Sequence, residues 1–259
     1  MSILDLATPV SDTVESVNMI VYGDSGVGKT VFSGSGRDKG KNDLILAVEH
    51  GTSSAGRAGS KANVLTVRKW TELVEAIDEL IEDPDRFDWV IVDSLTKVQD
   101  LIWEHIIGEA RRNNPGRNVY ARELQEWGAA QLMLTEVVER LNGSEVNVIY
   151  TALAELGTDE EAQEFKLPSI HGKGGKLAAW VCAQADVVAY MSVGRTSKGT
   201  EYRKFQFNKS PEVFAKDRFN LFPGKPVANV TLEKFTDKLL EGNVETPEAT
   251  ENTPKKESN

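Results

Sequence analysis

The residues whose types and spacing could do chemistry begin at position 23. Gly23, Asp24, Ser25, Gly26, Val27, Gly28, Lys29 and Thr30 read GDSGVGKT, which fits G-x-x-x-x-G-K-[ST], and Val31 follows. Glycine at 23, 26 and 28 lets the backbone turn tightly, so that successive N–H groups point at phosphate oxygens from the mouth of a helix. Lys29 then reaches the β- and γ-phosphates, and the Thr30 hydroxyl sits on Mg²⁺. A glycine-rich turn with a chance Lys-Thr is the plainer reading. It is disfavoured by the apolar run at 17–22, because the motif requires a strand leading into it. ATP and Mg²⁺ are the cofactors this chemistry implies.

A bound metal also needs a carboxylate. WVIVDS at 89–94 supplies one: an apolar strand ending at Asp93, at the carboxyl edge where α/β sheets bind ligands. Asp93 is the expected direct or water-mediated Mg²⁺ partner, and Ser94 the expected N-cap of the next helix. Hydrolysis further requires a group that orients or deprotonates water. Glu49 closes the run LILAVE at 44–49 and so reaches the same edge as Lys29 and Asp93, which makes it the candidate base. Its plainer reading is a strand-end surface glutamate. His50 beside it reads as a loop residue.

These side chains need elements to hold them. Short apolar runs at 17–22, 44–48, 64–67, 89–92 and 146–151 read as strands covered on both faces. Longer helical patterns alternate with them, so the expected class is α/β: a mostly parallel central sheet flanked by helices. Leu73, Ile77, Leu80 and Ile81 mark one helix with Thr71 as its N-cap and its carboxylates toward water. Trp70, just ahead of it, reads as a packing residue. Further helices are expected over 95–112 and 121–141, the second stopped by Asn142 and Gly143, with Leu124, Trp127, Gln131, Leu134, Val138 and Leu141 as its core stripe. The helix after Thr30 should be short, because Gly34, Gly36 and Gly40 interrupt it. Runs at 186–191 and 202–207 flank GRTSKGT and predict a C-terminal antiparallel hairpin.

Composition bounds the rest. The chain has 259 residues, 40% hydrophobic and 27% charged, an ordinary globular balance. One cysteine and three histidines exclude an internal disulfide and leave too few ligands for a structural zinc site. No apolar run approaches the roughly 20 residues of a membrane span, and the start lacks a signal-peptide pattern, so a cytoplasmic protein with no membrane partner is expected. The division expected is an N-terminal extension at 1–16, an ATPase domain at 17–240 and a disordered acidic tail at 241–259, where apolar residues are nearly absent.

A net charge of -10 argues against a globally basic nucleic-acid binder but leaves room for local basic surfaces. RRNNPGRNVYAR at 111–122 offers Arg111, Arg112 and Arg117 for phosphates and Tyr120 for stacking on an unpaired base. A second stretch, 154–176, sets Lys166, His171, Lys173 and Lys176 among Gly172, Gly174 and Gly175, a mobile loop suited to tracking a backbone. His171 itself reads as loop structure. The plainer reading of both stretches is flexible surface loops or subunit contacts.

Together the elements resemble the RecA-like ATPase core, and more narrowly the phage RecA-like proteins of the single-strand-annealing (Sak) type, over about 17–235. The features that carry the resemblance are GDSGVGKT, LILAVE, VIVDS, VNVIYTA with the loop after it, GKGGKLAAWVCAQADVVAYM, and AKDRF at 215–219, which is similar to the K-N-R-F-G segment of the RadA branch. The resemblance implies that Glu49 is the catalytic glutamate and that Lys216 and Arg218 reach the nucleotide of a neighbouring subunit. It also implies a homo-oligomer, ring or filament, that works on single-stranded DNA in recombination or annealing, with a single-stranded-DNA-binding protein as a further candidate partner. Asp217 and Asn220 depart from the asparagine and glycine of that segment. Thr151 stands where RecA has a γ-phosphate-sensing glutamine. A RadA- or DnaB-like helicase or mediator motor shares every nucleotide residue, a small-molecule kinase shares the phosphate loop, and a nucleotide-gated scaffold would dispense with turnover.

Overall fold

The computed structural model describes residues 16–158, 162–172 and 176–241. Among them the chain runs β1 (Asn18–Gly23), α1 (Lys29–Ser33), β2 (Leu44–Ala47), α2 (Ser53–Arg57), β3 (Asn63–Thr66), α3 (Trp70–Glu82), β4 (Val90–Asp93), α4 (Leu95–Asn113) and α5 (Leu124–Asn142). It continues with β5 (Val148–Thr158), β6 (Glu164–Pro168), α6 (Leu177–Gln184), β7 (Val187–Arg195), β8 (Glu201–Gln206), β9 (Lys216–Asp217), β10 (Val227–Ala228) and α7 (Leu232–Glu241). The sheet order is β10-β8-β7-β1-β5-β4-β2-β3. From β7 to β3 every pairing is parallel, and β8, β9 and β10 add antiparallel pairings at the other side. This is the α/β fold expected, with its C-terminal hairpin.

Period-two alternation along the buried strands splits the core into two layers. Ile20 and Tyr22 of β1 face α3, α4, α5 and α6. Met19 and Val21 face the opposite layer, where Phe205, Phe207, Phe222 and Phe235 gather with Phe32 and Trp89. β1 lies between β5 and β7, and β5 separates it from β4. The phosphate-loop strand and the Asp93 strand are therefore one strand apart, with their carboxyl ends at one edge.

Several elements depart from expectation. β3 is an exposed edge strand, with Val64 and Leu65 at 48% and 43% exposure, because no strand follows it and only Val67 turns inward. α3 starts at Trp70 rather than after Thr71: the Glu72 carboxylate accepts from the Arg68 and Lys69 N–H groups (2.7 and 3.2 Å) and so starts the helix two residues earlier, with Lys69 at the N-cap. α5 starts at Leu124, which is itself exposed, while Leu134, Val138 and Leu141 are buried. The stretch 154–176 opens not as a loop but as a hairpin, in which β5 continues to Thr158 and β6 returns antiparallel to it, Ala154 opposite Pro168. The charges and glycine of that stretch masked its period-two pattern. Residues 1–15 and 242–259, which hold the expected extension and tail, lie outside the described residues.

Candidate functional site

At the end of β1 the backbone must turn in very little space. The position a Cβ on Gly23 would take is filled by the Met191 carbonyl oxygen of β7. Gly28 has φ +102°, a conformation that glycine adopts without steric cost, and it caps the start of α1. Lys29 folds back over this loop and donates from Nζ to the carbonyls of Gly23 (2.9 Å) and Asp24 (3.0 Å). Burial lowers its pKa, opposed by the carboxylates of Asp93, Glu49 and Asp24. A partly desolvated ammonium beside a turn of backbone N–H groups is a receptor for a polyanion.

Asp93 ends β4 at 5% exposure, and both of its carboxylate oxygens are occupied. Thr30 donates to Oδ2 (2.8 Å) and Thr151, fully buried on β5, donates to Oδ1 (2.5 Å). Thr151, which stands where RecA has its γ-phosphate-sensing glutamine, lies inside β5 and orients Asp93. The Asp93 carbonyl accepts from Val48 and Glu49 N–H groups (3.0 and 3.1 Å), which ties the end of β2 to the end of β4 and fixes where Glu49 starts. Ser94 occupies the N-cap of α4 without capping it. Its hydroxyl donates instead to Glu49 Oε2 at 3.1 Å, across a cis Asp93–Ser94 peptide.

These groups line one cleft of about 500 Å³ that contains Gly26, Lys29, Thr30, Glu49, Asp93 and Arg203. His50, expected as a loop residue, lines it as well. Thr30 and Asp93 present hard oxygen donors side by side, which suits Mg²⁺. Among the described residues no cluster of three or more His, Cys, Asp or Glu could hold a metal ion. The sequence reading missed Ser94 and Thr151 as partners of the two carboxylates and missed Arg203 altogether. Hydroxyl partners carry no motif of their own, and Arg203 enters the cleft only through the register of β7 with β8.

The other candidate residues stand elsewhere. Lys216 and Arg218 lie at the amino edge of β7, across the sheet from the cleft. Lys216 donates to the carbonyls of Ala183 (3.0 Å) and Ala185 (2.5 Å), and Arg218 pairs with Asp186 (2.5 Å). Asn220 has φ 54°, the left-handed conformation that asparagine tolerates where the similar segment has glycine. In the 111–122 stretch Arg111 and Tyr120 are exposed, Tyr120 at 94%, and Arg112 pairs with Glu109. Arg117 does not face solvent: its side chain is 11% exposed, pairs with Glu123 and Glu126, and donates to the Ala121 carbonyl. An inward cation between two carboxylates shapes the loop and is not free for a phosphate. Lys176 is exposed at the start of α6, and Lys173 lies outside the described residues. Gln99 on α4 holds the His171 backbone through two hydrogen bonds (2.6 and 2.9 Å).

Comparison with known proteins adds a family. Among solved structures, the chain is similar to a KaiC-like protein of the hyperthermophilic archaeon Pyrococcus horikoshii at 14% identity, over 83% of this chain and 90% of that one, with a TM-score of 0.45. No curated protein sequence matches. The sequence profile of the AAA domain family AAA_24 matches residues 15–219, from the start of β1 through the phosphate loop, Glu49 and Asp93 to the Arg218 segment. The phosphate loop, the strand-end aspartate and the parallel sheet between them all fall within that match, and the chain belongs to the AAA domain family.

Proposed function

We propose that the chain hydrolyses Mg²⁺-bound ATP in this cleft and couples turnover to single-stranded DNA in annealing or recombination, as a homo-oligomer of the Sak type it resembles. The observation that carries the reading is the convergence of Lys29, Thr30, Asp93 and Glu49 on one cleft from three strand ends. The backbone N–H groups of residues 24–30 and Lys29 bind the phosphates. Thr30 and Asp93 would hold Mg²⁺, which neutralises charge on the β- and γ-oxygens when bound. Glu49, with Oε2 held by Ser94, keeps Oε1 for a water; it takes the proton as the water oxygen bonds to the γ-phosphorus and the bond to the β-phosphate oxygen breaks.

Lys216 and Arg218 lie too far across the sheet to serve their own nucleotide, so in this reading they complete a neighbour's site. For DNA the support is the exposed pair Arg111 and Tyr120 with Arg112 alongside; Lys173 and Lys176 belong to the second contact. ATP turnover measured with and without a single-stranded oligonucleotide tests the reading. Stimulation is expected. Stimulation by a small-molecule acceptor in place of DNA would transfer the site to a kinase.

A further inference from the structure

One cation in the cleft has no counterpart in the phosphate-loop motif. Arg203 stands on β8 opposite Val193 of β7, past the end of β1, so its side chain rises at the edge where the phosphate loop begins. Its Nε lies 3.2 Å and its Cδ 3.8 Å from the position a Cβ on Gly28 would occupy. Glycine at 28 thus serves the positive φ and also makes room for this guanidinium. Among the described residues the Arg203 side chain has no hydrogen-bond or ion-pair partner, whereas Arg195 on the same hairpin is paired with Glu201.

The backbone of Arg203 is held firmly. Its N–H donates to Asn229 Oδ1 (2.9 Å), and its carbonyl accepts from the Asn229 N–H (2.7 Å). A half-buried arginine, clamped at its main chain and unpaired at its head, beside a turn of N–H groups, is a preorganised anion contact.

Resting on the ATP-site reading above, we propose that Arg203 is a nucleotide-binding residue supplied in cis by the β7–β8 hairpin. Its guanidinium donates to oxygens of the phosphate cradled at Gly28, the β-phosphate region shared by nucleoside di- and triphosphates. It differs in kind from Lys216 and Arg218: it needs no second subunit and contributes to binding in a single chain.

The test is equilibrium titration of the full chain, at concentrations too dilute for assembly, with ATP, ADP and GTP. For Arg203→Ala the expected result is a loss of affinity of about 10- to 100-fold for all three nucleotides, from one charge-assisted contact. Arg203→Lys should recover part of it. Melting without nucleotide should be unchanged, because the Asn229 clamp uses only the Arg203 main chain. Unaltered affinity in Arg203→Ala, or a loss confined to ATP and ADP with GTP unaffected, would overturn the phosphate contact, the second outcome by pointing to the base. Lys29→Ala run in parallel separates the two claims. If it too binds normally, the ATP-site reading fails; if only Lys29→Ala weakens binding, the Arg203 assignment alone fails.

Discussion

Asp93 depends on two threonine hydroxyls for its position, and only Thr30 belongs to the phosphate-loop motif. Removing the other donor leaves a buried carboxylate oxygen unpaired, a cost of about 1–3 kcal/mol. Thr151→Val should therefore lower the urea midpoint and raise the Mg²⁺ concentration needed for half-maximal ATP turnover, while Thr151→Ser stays close to the parent. A Thr151→Val enzyme with an unchanged Mg²⁺ requirement would separate Thr151 from the metal site. Asp43 offers a different residue-scale test. Burial, with Asp88 adding to it, pushes its carboxyl from 3.8 to about 7, and its Oδ2 has no hydrogen-bond partner. A raised carboxyl favours the folded state fully below pH 4 and loses that contribution as pH climbs through about 7. Stability should thus fall between about pH 4 and 7 by an amount on the order of a few kcal/mol and level off above that, and Asp43→Asn should flatten the slope in urea titrations.

Among the elements, α7 closes the aromatic layer. Phe235 is fully buried within ring-centroid distances of 6.0 Å from Trp89 and 6.3 Å from Phe222, Trp89 Nε1 donates to Thr236 Oγ1 (3.0 Å), and Ser35 accepts from the Leu232 N–H at Oγ (2.9 Å) and from the Glu233 N–H at its carbonyl (3.0 Å). The helix therefore braces the segment that follows α1. Phe235→Ala should destabilise the chain by about 3–5 kcal/mol, measured by chemical denaturation, through the cavity it leaves. Element by element, legibility in the sequence tracks burial and local signals. β1, β4, α4 and the β7–β8 hairpin were readable because apolar runs or turn residues announce them. β3 resembled a covered strand because its apolar content does not reveal that it lies at the edge. β6 was hidden because a strand of charged and half-exposed residues pairs only through its partner. The same division holds at the site: Lys29, Thr30, Glu49 and Asp93 sit in ordered motifs, whereas the bonds of Thr151 and Ser94 to the two carboxylates, and the entry of Arg203 into the cleft, are set by tertiary placement.

For the whole molecule, the decisive feature is which residues share an edge. The cleft lies at the carboxyl ends of β1, β2 and β4, and the Asp186–Arg218 pair at the amino end of β7, separated by the length of a six-residue strand, roughly 17–20 Å. If Arg218 acts between subunits, mixing two inactive proteins should restore turnover. Lys29→Ala brings intact Lys216 and Arg218, and Arg218→Ala brings an intact cleft, so the mixture should exceed the sum of its parts. No gain on mixing would remove the trans assignment. Asp186 keeps its bond from the Asn18 N–H (3.0 Å) in Arg218→Ala, so that variant retains its strand contact.

That placement at opposite edges gives an assembly built this way a direction. Two copies related by a two-fold axis would set like against like and leave both clefts without a donor. Copies stacked head to tail would equip every cleft except one at a free terminus, and closure into a circle would equip that one too. Turnover per chain would then rise with the length of an open stack and be independent of size in a closed one.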